Sequence, residues 1–540
     1  MRRPPCLVLA ALILMAPATA FAADWYVDPT TGDPSGDGSA ARPWGTLQEV
    51  VEAGLIETRH WTTLPYAPGA TLGPVNAGAP IQPGDTIWLA DGYHGELSIT
   101  GGHNAAPIVI RAMDGATPRL SRVLLRAASQ WELRGLSISP SHAPTYARGT
   151  ALDIDDHGFH GPSHDIVVEG CDIFAMPDIS GLDAAGWVSE IGNGVAIDGA
   201  DCVFRDNTVR NIDFGISVTG ERVAVIGNLV ENFSGDGMRG LGDYGRFEGN
   251  VVRNCYDVDD NHDDGFQSWS NGPDGVGSGE VVGIVLRGNT IINRVDPAQP
   301  LQGPLQGIGC FDGFFTDWVV ENNVVITDHW HGITLLGARD SRIVNNTVID
   351  VNTVDPGPPW IRIDDHKDGT ASTGNVIRNN LAASFHIGAD PSNQSDHNFA
   401  IVDASALFVD AAGFDLHLLP TATDAIDQGV DTLAPAFDFD GIPRPQGAAH
   451  DLGAFEWHDG TVMPVDAGPP GPDAGPGDDG GTAPADGGPS ASDDGGTAGA
   501  DAGSASGGCD GCACRAATSR RSAPLVLLSL LGALFLRRRR

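Results

Sequence analysis

Apolar and polar residues alternate in short runs that are separated by glycine-rich turns along most of the chain. Alternation with a period of two is typical of β-strands that bury one face. Ahead of these runs, residues 46–55 show the pattern of a short amphipathic helix, with Thr46 as its N-cap and Glu49 three residues later. We expect this helix to cover the open end of the sheet that follows. The first three alternating runs are residues 81–89, 107–112 and 131–138.

The strand signals become periodic in the middle of the chain, where an asparagine repeatedly precedes an apolar pair or triplet. Successive asparagines are 21, 22, 39, 34, 23 and 34 residues apart. Such spacings are typical of a parallel β-helix, in which each coil uses a fixed number of residues and insertions loop out. Asparagine tolerates the left-handed backbone conformation of a turn and can hydrogen-bond to the asparagine one coil away. These asparagines are Asn207, Asn228, Asn250, Asn289, Asn323, Asn346 and Asn380.

We therefore predict an all-β fold, a right-handed parallel β-helix over residues 24–415 with a short N-terminal capping helix. A second register supports this prediction, because a glycine opens a strand before the asparagine turn of each coil. Stacking the coils aligns the residue before each glycine in one column and the residue two after it in a neighbouring column. Alternation turns both columns outward, so they line a polar groove. The first column is Asn193, Phe214, Asp236, Asp264, Gln306 and His331, and the second is Ala196, Ser217, Arg239, Gln267, Gly309, Thr334 and Arg362.

The composition narrows the class of function. The chain has 540 residues and a formal net charge of −39, which excludes a nucleic-acid binder and a basic membrane-surface protein. Its 72 glycines suit a turn-rich β protein better than a helical one. The predicted solenoid holds widely spaced cysteines without a Cys-x-x-Cys pair, for which we expect buried thiols, with one disulfide as the alternative. They are Cys171, Cys202, Cys255 and Cys310.

The N-terminus has the three parts of a secretory signal. Arg2 and Arg3 precede an apolar run over residues 7–15, and Ala20 and Ala22 flank a phenylalanine in an Ala-x-Ala cleavage site. This order predicts a signal peptide over residues 1–23 and export through the inner membrane. Residues 460–508 are rich in glycine, alanine, proline, aspartate and serine, and we predict a disordered linker there.

Two C-terminal segments resemble known families. Residues 437–446 and 451–456, within residues 416–459, resemble the closing segment of choice-of-anchor Q proteins, which implies a cap on the solenoid and an anchored protein. Residues 509–540 combine three cysteines, a short apolar run and a terminal arginine cluster, and they resemble the MYXO-CTERM sorting tail. This resemblance implies an apolar helix, attachment at the outer cell surface, and membrane contact through this tail only. The cysteines are Cys509, Cys512 and Cys514.

Three aspartates stand on adjacent predicted coils and are the densest chemistry in the chain. Asp236 lies between two glycines, and Asp263 and Asp264 begin the strand of the next coil. Carboxylates this close repel each other unless they share protons or bind a cation, and hard oxygen ligands suit calcium. These residues resemble the Asp-Asp-Gly-x-Asp run and the preceding aspartate of β-helical pectate lyases. The resemblance implies calcium bound by the three aspartates, with Gln267 in place of the run's last aspartate.

In that family calcium binds a uronate carboxylate, and a lysine on a following coil removes the proton α to it. No lysine lies near residues 307–313 in this sequence, so the base of a lyase must come from His262, His331 or Lys367. Arg239 or Arg362 would neutralise the substrate carboxylate or assist proton transfer. The candidates for substrate binding are Gln267, Trp269 and Trp330, and Trp360 is a further tryptophan that could stack on a sugar ring.

A second resemblance leads to hydrolysis. Asp236, the Asp263-Asp264 pair, Trp330-His331-Gly332 and Ile361-Arg362-Ile363 follow the motif order of polygalacturonases, in which one carboxyl protonates the leaving oxygen and another activates water. Asp-Gly pairs also cap ordinary turns. We expect a monomer that acts on polysaccharide, with calcium-assisted cleavage of uronic-acid-containing glycans as the first interpretation. A hydrolase or epimerase comes second, and a non-catalytic glycan-binding or adhesive surface protein is the alternative from another class.

Overall fold

The computed structural model of the chain describes residues 22–350, 352 and 354–462. Most of the predicted signal peptide, most of the predicted linker and the whole predicted sorting tail lie outside the described residues, and those predictions stay as they are. Among the described residues, no helix is long and apolar enough to cross a membrane.

The described chain winds into a parallel β-helix, as predicted, and each coil contributes strands to three faces. The long strands Leu97–Ala112 and Val123–Arg134 run from the first face onto the second. The other strands of the first face are Leu152–Asp155, Val195–Ile197, Ile216–Val218, Met238–Gly240, Asp264–Trp269, Gln306–Asp312, His331–Leu336, Trp360–Asp364 and Ser384–Ile387. The other strands of the second face are Asp24–Val27, Thr86–Leu89, His164–Glu169, Val203–Arg205, Ala224–Ile226, Arg246–Glu248, Val285–Arg287, Val319–Glu321, Arg342–Val344, Val376–Arg378 and Gln394–Asp396.

The third face is a separate sheet of shorter parallel strands. A further small parallel sheet joins Glu280–Val282, Phe314–Thr316 and Ala338–Arg339. Three antiparallel hairpins join Thr58–Trp61 with Leu72–Val75, Asn271–Gly272 with Gly275–Val276, and Phe408–Asp410 with Asp415–Leu418. The strands of the third face are Gly92–Tyr93, Pro118–Leu120, Ser137–Ile138, Asp172–Phe174, Thr208–Ile212, Leu229–Phe233, Val251–Cys255, Thr290–Ile292, Val324–Ile326, Thr347–Ile349, Leu381–Ala382 and Phe399–Ala400.

Apolar side chains of equal register fill the interior from coil to coil. On the third face one row of fully buried residues pairs strand by strand, so each side chain packs on its counterpart above and below. Each such burial contributes about 1.5–3 kcal/mol relative to exposure. The row is Val209, Val230, Val252, Ile291, Val325 and Val348.

The repeated asparagines form the ladder that their spacing predicts. The side-chain oxygen of Asn228 accepts hydrogen bonds from the backbone N–H and the side-chain amide of Asn207, each at 3.0 Å. The same pair of bonds recurs at every step to Asn380 and once more to Asn398. Because these groups are buried, each coil is tied to the next by amides that have no access to water.

The left-handed conformation belongs to the residue before each ladder asparagine, so our assignment of it to the asparagine itself was wrong. Asp206 has a φ of 56°, and Asn345 and Asn379 have φ of 54° and 57°. The turn needs one such residue to change direction between the second and third faces, and aspartate, asparagine and glycine tolerate it. The next residue then keeps an ordinary backbone and turns its amide into the ladder.

The N-terminal helix forms as predicted. It spans Leu47–Glu52, the Thr46 hydroxyl accepts from the backbone N–H of Glu49, and the Glu49 carboxylate accepts from the backbone N–H of Thr46. Leu47 and Val50 are buried in the main core, so the helix covers apolar residues of the first coils. A second helix spans Ala184–Glu190, and short 3-10 turns cover Pro140–His142, Ala404–Ala406 and Ala411–Gly413.

The segment that follows the last coil packs along the side of the solenoid, and the cap that the resemblance implies stays a prediction. It covers the outward apolar side chains of the third face, including Val324, Ile326 and Leu381. The buried Arg444–Glu456 ion pair holds the segment together at 2.6 Å. All four cysteines of the solenoid are buried and unpaired, as expected of structural thiols.

Candidate functional site

The outward column of the first face is continuous. Strand pairing places its residues beside one another in register, which confirms the predicted alignment from Ala196 to Arg362 and extends it in both directions. The first face therefore presents one straight row of side chains. In order the row is Ser98, Leu124, Asp153, Ala196, Ser217, Arg239, Gln267, Gly309, Thr334, Arg362 and His386.

Asp264 lies beside Gln267 and Gly309 of this row and is fully buried. Its Oδ2 lies 3.0 Å from Nδ1 of His262 and accepts from the side-chain amide of Gln267 at 3.0 Å. Its Oδ1 has no hydrogen-bond partner in the described part of the chain. That oxygen stands directly over Gly309, where an added Cβ would come within 2.1 Å of it. The glycine thus makes room for a carboxyl oxygen that is left without a partner.

The surroundings of Asp264 favour its protonated form. Burial raises the pKa of this carboxyl to about 7, the hydrogen bond from His262 acts in the opposite direction, and the nearby charge of Asp236 raises it further. A buried acid with a pKa near neutrality and an unpaired oxygen is typical of catalytic sites.

Asp236 lies on the coil before that of Asp264 and forms an ion pair with Arg239. Nε of Arg239 donates to its Oδ2 at 2.5 Å, and the backbone N–H of Asp264 donates to its Oδ1 at 3.2 Å. The Arg239 guanidinium lies 3.6 Å from the ring centre of Phe214 and 5.2 Å from that of Trp269. Trp269, which we predicted to stack on a sugar, therefore contributes a cation–π contact to Arg239.

Asp263 does not face the groove. Its side chain points to the interior, where Sγ of Cys255 donates to its Oδ2 at 3.2 Å, and burial raises its pKa well above the ordinary value. Successive residues of an extended segment point to opposite sides, so Asp263 and Asp264 diverge. Their predicted placement at the groove and its edge was wrong for Asp263.

The three aspartates consequently do not converge on one point. Asp236 is engaged by Arg239. Asp263 and Asp264 each have one oxygen without a partner among the described residues, but Asp263 is turned inward and Asp264 lies beside the groove. Over residues 22–462 apart from 351 and 353, no group of three or more His, Cys, Asp or Glu side chains is arranged to hold a metal ion. Calcium requires six to eight oxygen ligands. As arranged, these residues do not fit calcium, and its binding stays a prediction.

His331 lies in an aromatic cluster two coils after Asp264. Its Nδ1 lies 2.9 Å from Oγ1 of Thr334, and its ring centre is 4.8 Å from Phe311 and 5.2 Å from Trp360. Burial, and then the neighbouring His329, lower the pKa of His331 to about 3, so the ring is neutral at ordinary pH. Phe311 also lies 6.5 Å from the ring of His262 and thus stands between the two candidate histidines.

The remaining predicted residues lie at the edges of this cluster. Arg362 forms an ion pair with Asp364, whose carboxylate also lies 3.3 Å from Nε2 of His386. Nζ of Lys367 lies 2.8 Å from Oδ1 of Asp312, so this lysine reaches the strand of Gly309 although it comes later in the chain. Trp330 is 41% exposed, which leaves its ring accessible to a ligand.

The sequence argument missed Phe311 and His329. Phe311 lies two residues after Gly309, and alternation along that strand would have placed it on the groove side. His329 gave no comparable signal, because it lies in a turn before the strand His331–Leu336.

The comparisons with known proteins agree with this architecture. A family model described as right handed beta helix region matches residues 192–401, the coils that carry the candidate site, and agrees with the predicted handedness. No protein with a curated description matches the chain.

Solved structures similar to the chain include a pectate lyase, with 14% identity over 81% of this chain and 97% of that chain and a TM-score of 0.43. A lacto-N-biosidase from Eubacterium ramulus has 14% identity over 70% of this chain and 68% of that chain, with a TM-score of 0.40. The A-module of a mannuronan C-5 epimerase from Azotobacter vinelandii has 13% identity over 58% and 91%, with a TM-score of 0.33. At these similarities no activity carries over to this chain.

Proposed function

We propose that the protein is a polysaccharide-active enzyme whose acid–base centre is the pair of His262 and Asp264, and that it cleaves uronic-acid-containing glycans by elimination. The observation that carries the proposal is the buried Asp264 carboxyl, which contacts His262 at 3.0 Å while its other oxygen has no partner within the described residues. Burying such a group costs stability, and sites that tolerate this cost are often functional.

In this reaction His262 is the base. Asp264 acts in its ionised form, which predominates above its pKa of about 7. Its carboxylate contacts Nδ1, fixes the orientation of the ring and stabilises the positive charge that forms when the ring takes up a proton. The ring is 29% exposed and accessible from the groove. The proton comes from the carbon next to the substrate carboxylate, the electron pair of that bond forms a carbon–carbon double bond, and the glycosidic carbon–oxygen bond breaks. The departing oxygen keeps its electron pair and takes a proton from solvent.

Arginine supplies the positive charge that the substrate carboxylate needs. Both arginines form an ion pair, Arg239 with Asp236 and Arg362 with Asp364, but Arg239 is only 11% exposed whereas Arg362 is 32% exposed. Arg362 is therefore the better candidate to contact the substrate, with Arg239 as the residue that positions Asp236 and the Asp264 backbone. Calcium, if bound, would neutralise the same carboxylate, but no step above depends on it.

Hydrolysis is the second candidate, and one observation favours it. A carboxyl with a pKa of about 7 suits a general acid that protonates a leaving oxygen, and Asp236 supplies a second carboxylate on the adjacent coil. An epimerase would share the proton abstraction of the lyase without breaking the glycosidic bond. A glycan-binding protein would use the same groove without chemistry.

One experiment separates elimination and hydrolysis from each other and from epimerisation or binding, neither of which shortens the polymer. Polygalacturonate, alginate and xylan are incubated with wild-type protein and with Asp264→Asn, and ultraviolet absorbance and reducing ends are followed together. Elimination produces an unsaturated sugar that absorbs in the ultraviolet, hydrolysis produces reducing ends alone, and binding leaves the polymer length unchanged. We expect absorbance from wild type and at least a hundredfold less from Asp264→Asn. Equal rates from both proteins would refute the assignment of Asp264.

The same assay tests calcium. Because the three aspartates face apart, we expect EDTA to leave the wild-type rate unchanged. A rate that EDTA abolishes and added calcium restores would instead support the calcium site that the resemblance to pectate lyases implies.

We further propose that the protein is exported and held at the outer cell surface, on the sequence of the two ends of the chain. Protease treatment of intact cells tests this. Loss of the full-length protein from intact cells supports surface exposure, and protection until the cells are lysed contradicts it.

A further inference from the structure

A cavity of about 320 Å³ lies at the N-terminal end of the solenoid, away from Asp264. It is bordered by the hairpin of Thr58–Trp61 and Leu72–Val75, which joins the first face through the pairing of Arg59 with His103. The cavity is lined by Trp61, Leu64, Thr100 and His160, among others. Its volume is at the lower end of the range of small-molecule sites.

The aromatic wall of this cavity is built from several packed rings. The indole of Trp61 lies 5.0 Å from Tyr66 and 5.1 Å from His103. Gly161 has a φ of 113° and lies against the indole edge, since an added Cβ would come within 2.5 Å of Cδ1. The glycine therefore lets the neighbouring loop close on Trp61, and the ring is held in place before any ligand arrives.

Two buried polar atoms of this wall have no hydrogen-bond partner among the described residues. They are Nε1 of Trp61 and Nε2 of His103, whereas Nδ1 of His103 contacts Oγ of Ser129 at 3.0 Å. Buried polar atoms without partners are rare in folded proteins. Nε1 of Trp61 is covered by Gly161, where an added Cβ would come within 2.6 Å of it, so these atoms mark the tight packing of the wall.

The cavity carries no fixed charge. None of its lining residues is an acid, an arginine or a lysine, although the chain as a whole has a net charge of −39. Burial also lowers the pKa of His160 and lowers that of His103 to about 4, so both rings are neutral at ordinary pH. A ligand for such a site has an apolar ring face and uncharged polar groups, as sugar rings do.

The cavity lies on the same face as Asp264. Thr100 is two residues after Ser98, and Ser98 opens the outward row that leads through Arg239 to Gln267. Six strand spacings of about 4.8 Å separate Ser98 from Gln267, which is about 29 Å along the axis. One extended glycan chain could therefore contact both places at once.

We propose that the Trp61 cavity is a second sugar-binding site that holds a distant, uncharged part of the same glycan chain whose cleavage we assign to Asp264. The inference rests on the proposed function, because that function is the reason for taking the ligand to be a glycan. It adds that the preferred substrate is a polymer long enough to span both sites. Short oligosaccharides bound at Asp264 do not reach the cavity.

Trp61→Ala tests this inference, with Trp61→Phe as the conservative variant. Leu64→Ala removes a lining side chain that is 48% exposed, so it leaves the fold intact even where loss of the tryptophan does not. Tyr244→Ala, at an aromatic that is 54% exposed and does not line the cavity, is the matched control. All are made in wild type and in Asp264→Asn. Both activity and binding are measured on polygalacturonate, alginate, xylan and a rhamnogalacturonan, in which uncharged rhamnose alternates with galacturonate.

Among the polymers tested, we follow the one that binds the Asp264→Asn protein. We expect Trp61→Ala to weaken its binding to that protein by about fivefold to tenfold. It should lower kcat/KM on that polymer by a similar factor through KM and leave the rate on short oligosaccharides unchanged. Trp61→Phe should recover much of the loss, Leu64→Ala should give a smaller loss, and Tyr244→Ala none.

The possible failures are distinguishable. If glycans are cleaved but the cavity variants treat long and short substrates as wild type does, the inference is wrong and the proposed function stands. If nothing is cleaved but Trp61→Ala still weakens polymer binding, the cavity stands and the enzymatic proposal is wrong. If no polymer of the panel binds or reacts, both are overturned.

Discussion

Nδ1 of His262 lies 3.0 Å from Oδ2 of Asp264, with only Asp263 between them in the chain. In extended backbone, residues two apart point to the same side and the residue between them points to the other. One local conformation thus brings His262 and Asp264 together at the groove and sends Asp263 to Cys255 in the interior.

His262→Gln should abolish most of the activity without changing the fold. Glutamine keeps a polar side chain but cannot take up the proton, and loss of a general base typically costs about 10²–10⁴-fold in rate. His397→Gln is the control, because His397 makes the same 3.0 Å contact with an aspartate but lies on an exposed turn outside the groove. A variant at His262 with at least a tenth of the wild-type kcat would show that the base is another residue.

Asp264 should make the stability of the protein depend on pH. The pKa of Asp264 is about 7 in the folded protein and 3.8 ordinarily. At pH values between these two, the carboxyl is protonated in the folded state and ionised in the unfolded chain. The contribution of this carboxyl is therefore fully present below about pH 4 and is lost as pH rises through about 7. Asp264→Asn has no such titration.

We expect the Asp264→Asn protein to match wild type in free energy of unfolding at pH 4 and to exceed it at pH 8 by on the order of 1–4 kcal/mol. Urea unfolding followed by tryptophan fluorescence measures both. A stability difference that stays the same at the two pH values would contradict a raised pKa for this carboxyl.

Gly309→Ala should displace the Asp264 carboxyl. The new methyl would approach Oδ1 of Asp264 to 2.1 Å, which is closer than non-bonded atoms tolerate, so the side chain must leave its contact with His262. We expect a loss of activity of about a hundredfold with a small loss of stability. Gly181→Ala, where the Cβ meets nothing within 4 Å, is the control. Full activity in Gly309→Ala would mean that the position of Asp264 is unimportant.

Asn250→Ala should destabilise the solenoid. Its buried amide donates to Asn289 and to the carbonyl of Val225, and its oxygen accepts two bonds from Asn228. Truncation leaves these buried groups unpaired, at a cost of about 2–4 kcal/mol. Asn271→Ala, at an exposed asparagine, should change the free energy of unfolding by less than about 0.5 kcal/mol. Equal effects at the two positions would contradict a structural role for the ladder.

The sequence predicted the register of the coils well, because one glycine and one asparagine recur at fixed places in each coil. These two positions fix which residues of successive coils align. It could not show which of two turn residues takes the left-handed conformation, since both are often asparagine, as at Asn345 and Asn346. It also could not show that Asp263 turns inward, because two adjacent aspartates look alike until the phase of the strand is known. The sequence also did not predict the hairpin around Trp61, since this hairpin lies before the repeat begins.

The asparagine ladder also bears on how such a molecule changes in size. Between coils, each rung bonds to the coils directly above and below it. A whole coil added between Asn228 and Asn250 would therefore bring its own rung and leave the others intact. Every coil gained or lost in this way would shift the Trp61 cavity relative to Asp264 by one strand spacing of about 4.8 Å. Duplication or deletion of coils would thus set the length of glycan that the two sites hold together.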